Sequence, residues 1–256
     1  MPITAITGSA SGIGAATSAS LKAAGHEVIG IDLANADINA DLSTAEGREN
    51  AIAAILERCN GHLDGLVCCA GVGVTAPSNS IIVGVNYFGA AQLVDGLSEA
   101  LANSENAAAT IIGSVSASIS PDALSHEITK VLLNGDEAAA KAAAESNNAP
   151  HLSYACSKYA VTQFARSKVI EWGRKGMRIN VVAPGAVETP LHHAALKDPK
   201  YGESVKNFVA PLGRAGSTEE MAEAISFLQS DKASFIHGSV LFVDGGMDAM
   251  VRPGQF

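Results

Sequence analysis

Tyr154 and Lys158 stand four residues apart in a segment of helical spacing, which puts both side chains on one face of a helix. A phenol ordinarily titrates near about pH 10, so it serves as a base near neutrality only with a cation beside it. The Lys158 ammonium would supply that cation. A second constellation opens the chain: Gly8, Gly12 and Gly14, with Ser11 and Ile13 among them, follow a short apolar run and lead into a helical one. Glycines there admit close backbone approach while the helix N-terminus faces an anion, as a dinucleotide pyrophosphate requires. Asp32 ends the next apolar run, where a carboxylate accepts hydrogen bonds from both hydroxyls of an adenosine ribose and repels a 2'-phosphate. No Lys or Arg lies beside Asp32 or inside the glycine loop, so the expected cofactor is NAD rather than NADP.

The elements that must position these groups alternate. Residues 3–7 read as a strand, a helical segment closed by Gly25 follows, and 27–32 is a second strand, which together make a βαβ unit. Helix over 46–59, strand over 63–70, helix over 81–101 and strand over 108–114 continue the rhythm. A helix over 154–172 ends at Gly173 and Gly176, and a buried strand over 177–183 precedes Pro184-Gly185. The capping box Ser217-Thr218-Glu219-Glu220 opens a helix to about Gln229, and 239–243 is the last strand. The pattern predicts an α/β fold, a single Rossmann-type doubly wound domain over 1–256 with about seven parallel strands and helices on both faces.

One stretch, about 117–150, breaks the rhythm before the Tyr154 helix. Ser120-Pro121 starts a helix that Asn134-Gly135 stops, with Leu124, Ile128, Val131 and Leu132 on one face, and an Ala-rich helix follows over 136–145. This helical insertion has an apolar face to bury, either on its own domain or as a substrate wall or subunit contact.

Bulk properties narrow the function. With 47% hydrophobic and 17% charged residues the chain can build a globular core, and its net charge of -9 repels nucleic acid and anionic lipid. The N-terminal residues lack a basic region and cleavage site, and no apolar run approaches the roughly 18 residues that span a bilayer, so a soluble cytoplasmic protein is expected, with neither nucleic acid nor membrane as partner. Cys59, Cys68, Cys69 and Cys156 have neither disulfide-framework nor zinc-site spacing, and His192-His193 cannot chelate together as neighbours without a carboxylate cluster. No metal is expected.

With Thr7-Gly8-x-x-x-Gly12-Ile13-Gly14 ahead of Tyr154-x-x-x-Lys158, the chain resembles the short-chain dehydrogenase/reductase family from Ile3 to about Gly246. Ile112-Gly113-Ser114 matches the strand end carrying that family's serine, Val85-Asn86-Tyr87 its helix asparagine, and Pro184 to Thr189 its nicotinamide loop. The resemblance implies an NAD-dependent oxidoreductase of CH–OH groups with Ser114, Tyr154, Lys158 and Asn86 as its catalytic set. Tyr154 would be the base, Ser114 would bond the substrate oxygen, Lys158 would also bind the nicotinamide ribose, and Asn86 would hold a proton-relaying water. The implied cofactor contacts are Gly8, Ser11, Gly12, Ile13, Gly14, Asp32, Asp41, Leu42, Ala70, Gly71, Tyr154, Lys158, Pro184, Gly185, Val187 and Thr189. A nucleotide-sensing binding protein on this fold would have lost the Tyr, Lys or Ser, and none is lost.

Two departures carry further expectations. Cys68-Cys69-Ala70-Gly71 replaces the family's Asn-Asn-Ala-Gly, which removes two bracing amides while Ala70 and Gly71 still line the cofactor through backbone. The long interval from Ser114 to Tyr154 emerges beside the helices that normally pack family tetramers, so a homodimer through other helices is expected. The insertion, the Cys pair, Tyr201-Gly202-Glu203-Ser204 and the residues around Gly245-Gly246 narrow the resemblance to bacterial members that act on 3-alpha-hydroxyl groups of steroids and on carbonyl compounds. Related chains with similar insertions act on coniferyl-type aromatic alcohols. Either substrate is a small apolar alcohol or ketone. The expected substrate lid spans about 190–212, where Leu191, Leu196, Tyr201, Phe208 and Val209 could form an apolar wall.

Overall fold

A computed structural model describes residues 1–255 of the chain. Its first half contains β1 (Ile3–Thr7), α1 (Gly12–Ala23), β2 (Glu27–Asp32), β3 (Ile38–Asn39), α2 (Ala45–Arg58) and β4 (Gly65–Cys68). Next come α3 (Asn79–Val83), a π-helical turn (Gly84–Gly89), α4 (Ala90–Gly96), α5 (Ser98–Ala102) and β5 (Ala108–Ile112). The excursion holds α6 (Ser116–Ile119), α7 (Pro121–Ser125), α8 (Glu127–Leu133) and α9 (Glu137–Asn147). It is followed by α10 (Pro150–Ser167), α11 (Val169–Arg174), β6 (Arg178–Pro184), α12 (Pro190–Lys197) and α13 (Gly202–Asn207). The chain closes with α14 (Thr218–Gln229), β7 (Val240–Val243) and α15 (Met247–Val251).

The strands form one seven-stranded sheet in the order β3-β2-β1-β4-β5-β6-β7, and every pairing is parallel. Residues of β4, β5 and β6 are buried throughout, as helices on both faces demand of central parallel strands. On one face Leu21, Ile225 and Leu228 from α1 and α14 pack on Ile6, Val67 and Val182. On the other, α2, α4, α10 and Trp172 of α11 bury a larger core. Strand order reverses at β1, between β2 and β4, which opens a crevice above the carboxyl ends of β1 and β4 where ligands of such sheets bind.

Several expected elements shift. The helix expected over 81–101 is interrupted by the π turn around Asn86, and the short strand Ile38–Asn39 escaped a periodicity reading because two residues show no period. The helix carrying Tyr154 begins earlier, with Pro150 at its first turn, so Tyr154 lies inside a formed helix.

The single helix expected from Pro121 to Leu133 breaks at His126, whose extended backbone (φ -66°, ψ 148°) and Nδ1, accepting from the Ile128 N–H at 3.2 Å, cap α8. The break changes which residues face inward: Ala123 is buried and Leu124 is 61% exposed, contrary to the expected apolar stripe. Ile128 and Leu132 are buried as expected, with Ala140 and Ala144 of α9, and all four join the larger core. The excursion therefore packs on the sheet's own helices. Among the described residues no helix is long and apolar enough to cross a membrane.

At α14 the predicted capping box is complete: Ser217 Oγ accepts from Glu220 N at 3.2 Å, and Glu220 Oε2 accepts from Ser217 N at 2.8 Å. Ser217→Ala should lower stability by about 1 kcal/mol, read as a reduced midpoint in urea unfolding with unchanged slope.

Candidate active site

The crevice contains a cavity of about 490 Å³ whose floor is the glycine loop. Gly8 and Gly12 hold left-handed backbone (φ +69° and +53°), and a Cβ on Gly14 would lie 2.1 Å from the Gly8 carbonyl oxygen. Ser11 caps α1 without a side-chain hydrogen bond, so the first amides of that helix are left for an anion. Asp32 Oδ2 accepts from Ala10 N at 2.9 Å and Oδ1 from Leu33 N at 2.7 Å, which ties the end of β2 to the loop. Thr7 Oγ1 accepts from Ala70 N at 3.0 Å and fixes the chain after β4 against β1.

The cavity brings together the loop residues Gly8, Ser11, Gly12, Ile13 and Gly14 with Asp32, Asp41 and Leu42 at one end. Ala70 and Gly71 line its middle, and Ser114, Tyr154 and Lys158 meet Pro184, Gly185, Val187 and Thr189 at the other. An uncapped helix start, closely packed glycines and a strand-end carboxylate are the donor and acceptor set that a dinucleotide needs, so the residues fit NAD. Thr189 uses its hydroxyl locally, donating to Val187 O and accepting from His192 N, each at 3.2 Å, to cap α12.

At the reacting end, Ser114 Oγ accepts from Ser116 Oγ at 2.8 Å and from Ser116 N at 3.2 Å. Its acceptor side is engaged, which leaves its own O–H to donate into the cavity. Lys158, 4% exposed, donates from Nζ to the Ile112 carbonyl at 2.7 Å. Burial pulls its pKa down to about 8. Burial pushes the Tyr154 phenol upward, and hydrogen bonding by Ser114 partly opposes this. The expectation that Lys158 makes the phenol acidic is therefore corrected for the chain alone: the ammonium is held by Ile112, and desolvation of the ring prevails.

The Asn86 side chain does not line the cavity. Its Oδ1 accepts from Val72 N at 2.9 Å, and Nδ2 donates to Val72 O at 3.0 Å and to Ser157 Oγ at 3.2 Å. Both amide donors are engaged, so the side chain clamps the segment that follows β4. It lies directly behind the wall, where a Cβ on Gly71 would come within 3.4 Å of Asn86 Oδ1 and 3.5 Å of Lys158 Nζ.

Of the expected apolar wall only Leu191 lines the cavity, its side chain lying over Gly73. Leu196 and Tyr201 are absent from the cavity lining and Phe208 and Val209 are exposed: only the first turn of α12 borders the crevice, and the rest of α12 packs with α13. The opposite wall is formed by Val72, Pro77, Ile81 and Val85; only Val85 falls in a family motif, and none was expected to line the site, although the four-residue interval from Ile81 to Val85 was an available signal. Ser116 was also missed, although a hydroxyl two residues after Ser114 is the spacing of a local side-chain turn. His193 pairs with Glu188 at 2.6 Å in the open, and the described residues hold no metal-binding cluster.

Residues 8–248 match the family model described as enoyl-(acyl carrier protein) reductase. Across its whole length the chain is 47% identical to the whole 3-alpha-hydroxysteroid dehydrogenase/carbonyl reductase of Comamonas testosteroni. The chain belongs to the short-chain dehydrogenase/reductase family. A solved 3-alpha-hydroxysteroid dehydrogenase from Pseudomonas sp. B-0831, complexed with NADH, is 59% identical and superposes with a TM-score of 0.98 over 99% of this chain and 100% of that one. The D-threitol dehydrogenase of Mycolicibacterium smegmatis is 30% identical over 94% of this chain and 90% of its own.

Within this short-chain dehydrogenase/reductase, Cys68 at the end of β4 is buried and the half-buried Cys69 lines the cavity beside Lys158, and desolvation pushes both thiols up to about 12. The thiols thus stay neutral and give the ammonium no counter-ion. Folding lowers the Lys158 pKa from 10.5 to about 8, so the unfolded chain binds more protons between those values and Lys158 makes stability rise with pH across that window. Below the folded value the burial penalty is present in full. Denaturant unfolding of wild type and Lys158→Met at about pH 7.5 and about pH 10 should show the wild type gaining on the variant by ~1–3 kcal/mol at the higher pH.

Proposed function

We propose that the chain catalyses the reversible, NAD-dependent oxidation of a 3-alpha-hydroxyl on a steroid-like substrate and reduces other apolar carbonyl compounds. The convergence of Ser114, Tyr154 and Lys158 in the cavity whose far end is Asp32 carries the reading. The full-length likeness to proteins named for that steroid activity supports the substrate class, as does an apolar opening bounded by Leu191, Pro77 and Ile81.

In the proposed mechanism the α1 N-terminus and Gly8 to Gly14 hold the pyrophosphate, Asp32 accepts from the adenosine ribose, and Lys158 donates to the nicotinamide ribose. Bound NAD would supply the hydride acceptor for the carbinol carbon. Ser114 O–H and the Tyr154 phenol orient the substrate oxygen. Tyr154 takes the alcohol proton during oxidation and returns a proton to the ketone oxygen during reduction.

Burial keeps Tyr154 protonated near neutrality, which is the form needed for reduction. Alcohol oxidation needs the phenolate, so its kcat should climb as pH rises above about 7 while ketone reduction does not climb with it.

The cytoplasm suits this reading, since its thiol-reducing conditions maintain free cysteines like the four here. The assembly that suits it is a homodimer, because the excursion packs along α10 and leaves a separate apolar set at the β7 edge of the sheet, namely Phe227, Phe235 and Leu241. Sedimentation should find a species of twice 26.0 kDa; a tetramer would refute this arrangement.

Tyr154→Phe should cut turnover of 3-alpha-hydroxysteroid by at least about 10²-fold while NADH binding, followed by its fluorescence, is retained. Near-normal turnover would reject Tyr154 as the acid–base group. Failure of the wild type on a panel of hydroxysteroids, with rapid turnover of aromatic alcohols, would reject the substrate class alone.

A further inference from the structure

Asp41, Leu42 and Ser43 line the Asp32 end of the cavity, yet they lie in a segment between β3 and α2 where no neighbouring strand serves the carbonyls of Leu42 and Ser43. Carbonyls at a buried Leu42 and a half-buried Ser43 need partners from elsewhere. Arg48 of α2, with no exposed surface, donates from Nη1 to Leu42 O at 3.0 Å. Lys141 of α9 donates from Nζ to Ser43 O at 2.9 Å.

The two cations share one carboxylate on the excursion: Glu137 Oε2 accepts from Arg48 Nη2 at 2.5 Å, and Oε1 pairs with Lys141 Nζ at 2.6 Å. Arg48 Nε also donates to Gln92 Oε1 at 2.7 Å, which satisfies all three edges of a guanidinium that could not otherwise be buried.

Space has been left for this arrangement. A Cβ on Gly84 would lie 3.0 Å from Ser43 O and 3.4 Å from Lys141 Cε, and one on Gly89 would lie 3.3 Å from Leu42 Cβ. The other end of α9 reaches the opposite wall. Glu145 Oε1 accepts from Ser80 N at 2.7 Å, and Asn79 Nδ2 donates to Ala144 O at 3.1 Å, which holds the start of α3 immediately before the cavity residue Ile81. One helix of eleven residues thus ties together two walls of the cavity.

We propose that α9 is a brace of the dinucleotide site, in which Glu137 and Lys141 are positioning residues that fix Leu42 and Ser43 for the adenosine end of NAD. The inference rests on the reading of the cavity as an NAD site. It gives the helical excursion a task distinct from lining the substrate: it sets cofactor affinity from behind the wall. Binding and bracing are then linked, and NAD in turn stabilises the docked α9.

The test uses the full-length protein, with NADH as the probe, and compares wild type with Lys141→Met. This change keeps the alkyl stem beside Gly84 and leaves the Glu137–Arg48 pair intact. The Kd for NADH should rise about tenfold, the effect of losing one hydrogen bond to a charged donor, while kcat at saturating NAD changes by less than about twofold. Hydrogen exchange of the wild type, which needs no variant, should show NADH slowing the amides of 137–147, and Lys141→Met should lose that protection.

An unchanged Kd with a lowered melting temperature would make Lys141 merely structural and overturn the brace. So would a wild-type α9 whose exchange ignores NADH. Wild-type protein that failed to bind NADH would instead overturn the reading of the cavity itself, and the proposal with it.

Discussion

A single buried ammonium organises the reacting end of this molecule. Lys158 is enclosed between the sheet and α10, and its hydrogen bond to the Ile112 carbonyl joins that helix to the last residue of β5. Because α10 is anchored there, Tyr154 one turn earlier must face Ser114, which leaves the same strand two residues later. Enclosing a cation costs stability, and the depressed Lys158 pKa records that cost. The geometry persists because the surrounding core is large: Ala155, Cys156, Ala160 and Val161 of α10 are all buried beneath it.

The sheet and most of the cavity were legible in the sequence because their signals are local. Glycines in a strand-to-helix turn, a carboxylate ending β2 and a four-residue Tyr–Lys interval each state their own geometry. The capping box at Ser217 was likewise self-contained. What escaped depends on tertiary surroundings. No pattern shows that the amide of Asn86 would turn to Val72 and Ser157, since that follows from the π turn and from the approach of α10. The inward face of the excursion was misjudged at Leu124 because a break at His126, itself a matter of a side-chain cap, resets the helical phase.

The lid gives the same lesson from the other side. An apolar residue in a connecting segment carries no information about which surface it will meet, and only Leu191 among the five reaches the crevice. Ser116 and the Arg48–Glu137–Lys141 group were missed for a related reason. Their importance comes from what they hold, Ser114 Oγ in one case and the carbonyls of Leu42 and Ser43 in the other; the i, i+2 spacing of Ser116 hints only at a local turn, and the spacing of the charged group gives no sign at all.

The neutral thiols at the end of β4 have a chemical consequence for the cavity. Cys69 forms part of the cavity wall, and burial pushes its thiol up to about 12, so the sulfur is protonated at neutral pH. Unsaturated ketones are electrophiles that alkylate thiolates by conjugate addition. A wall sulfur kept protonated is a poor nucleophile, so the cavity lining itself offers such a ketone no reactive thiolate at neutral pH.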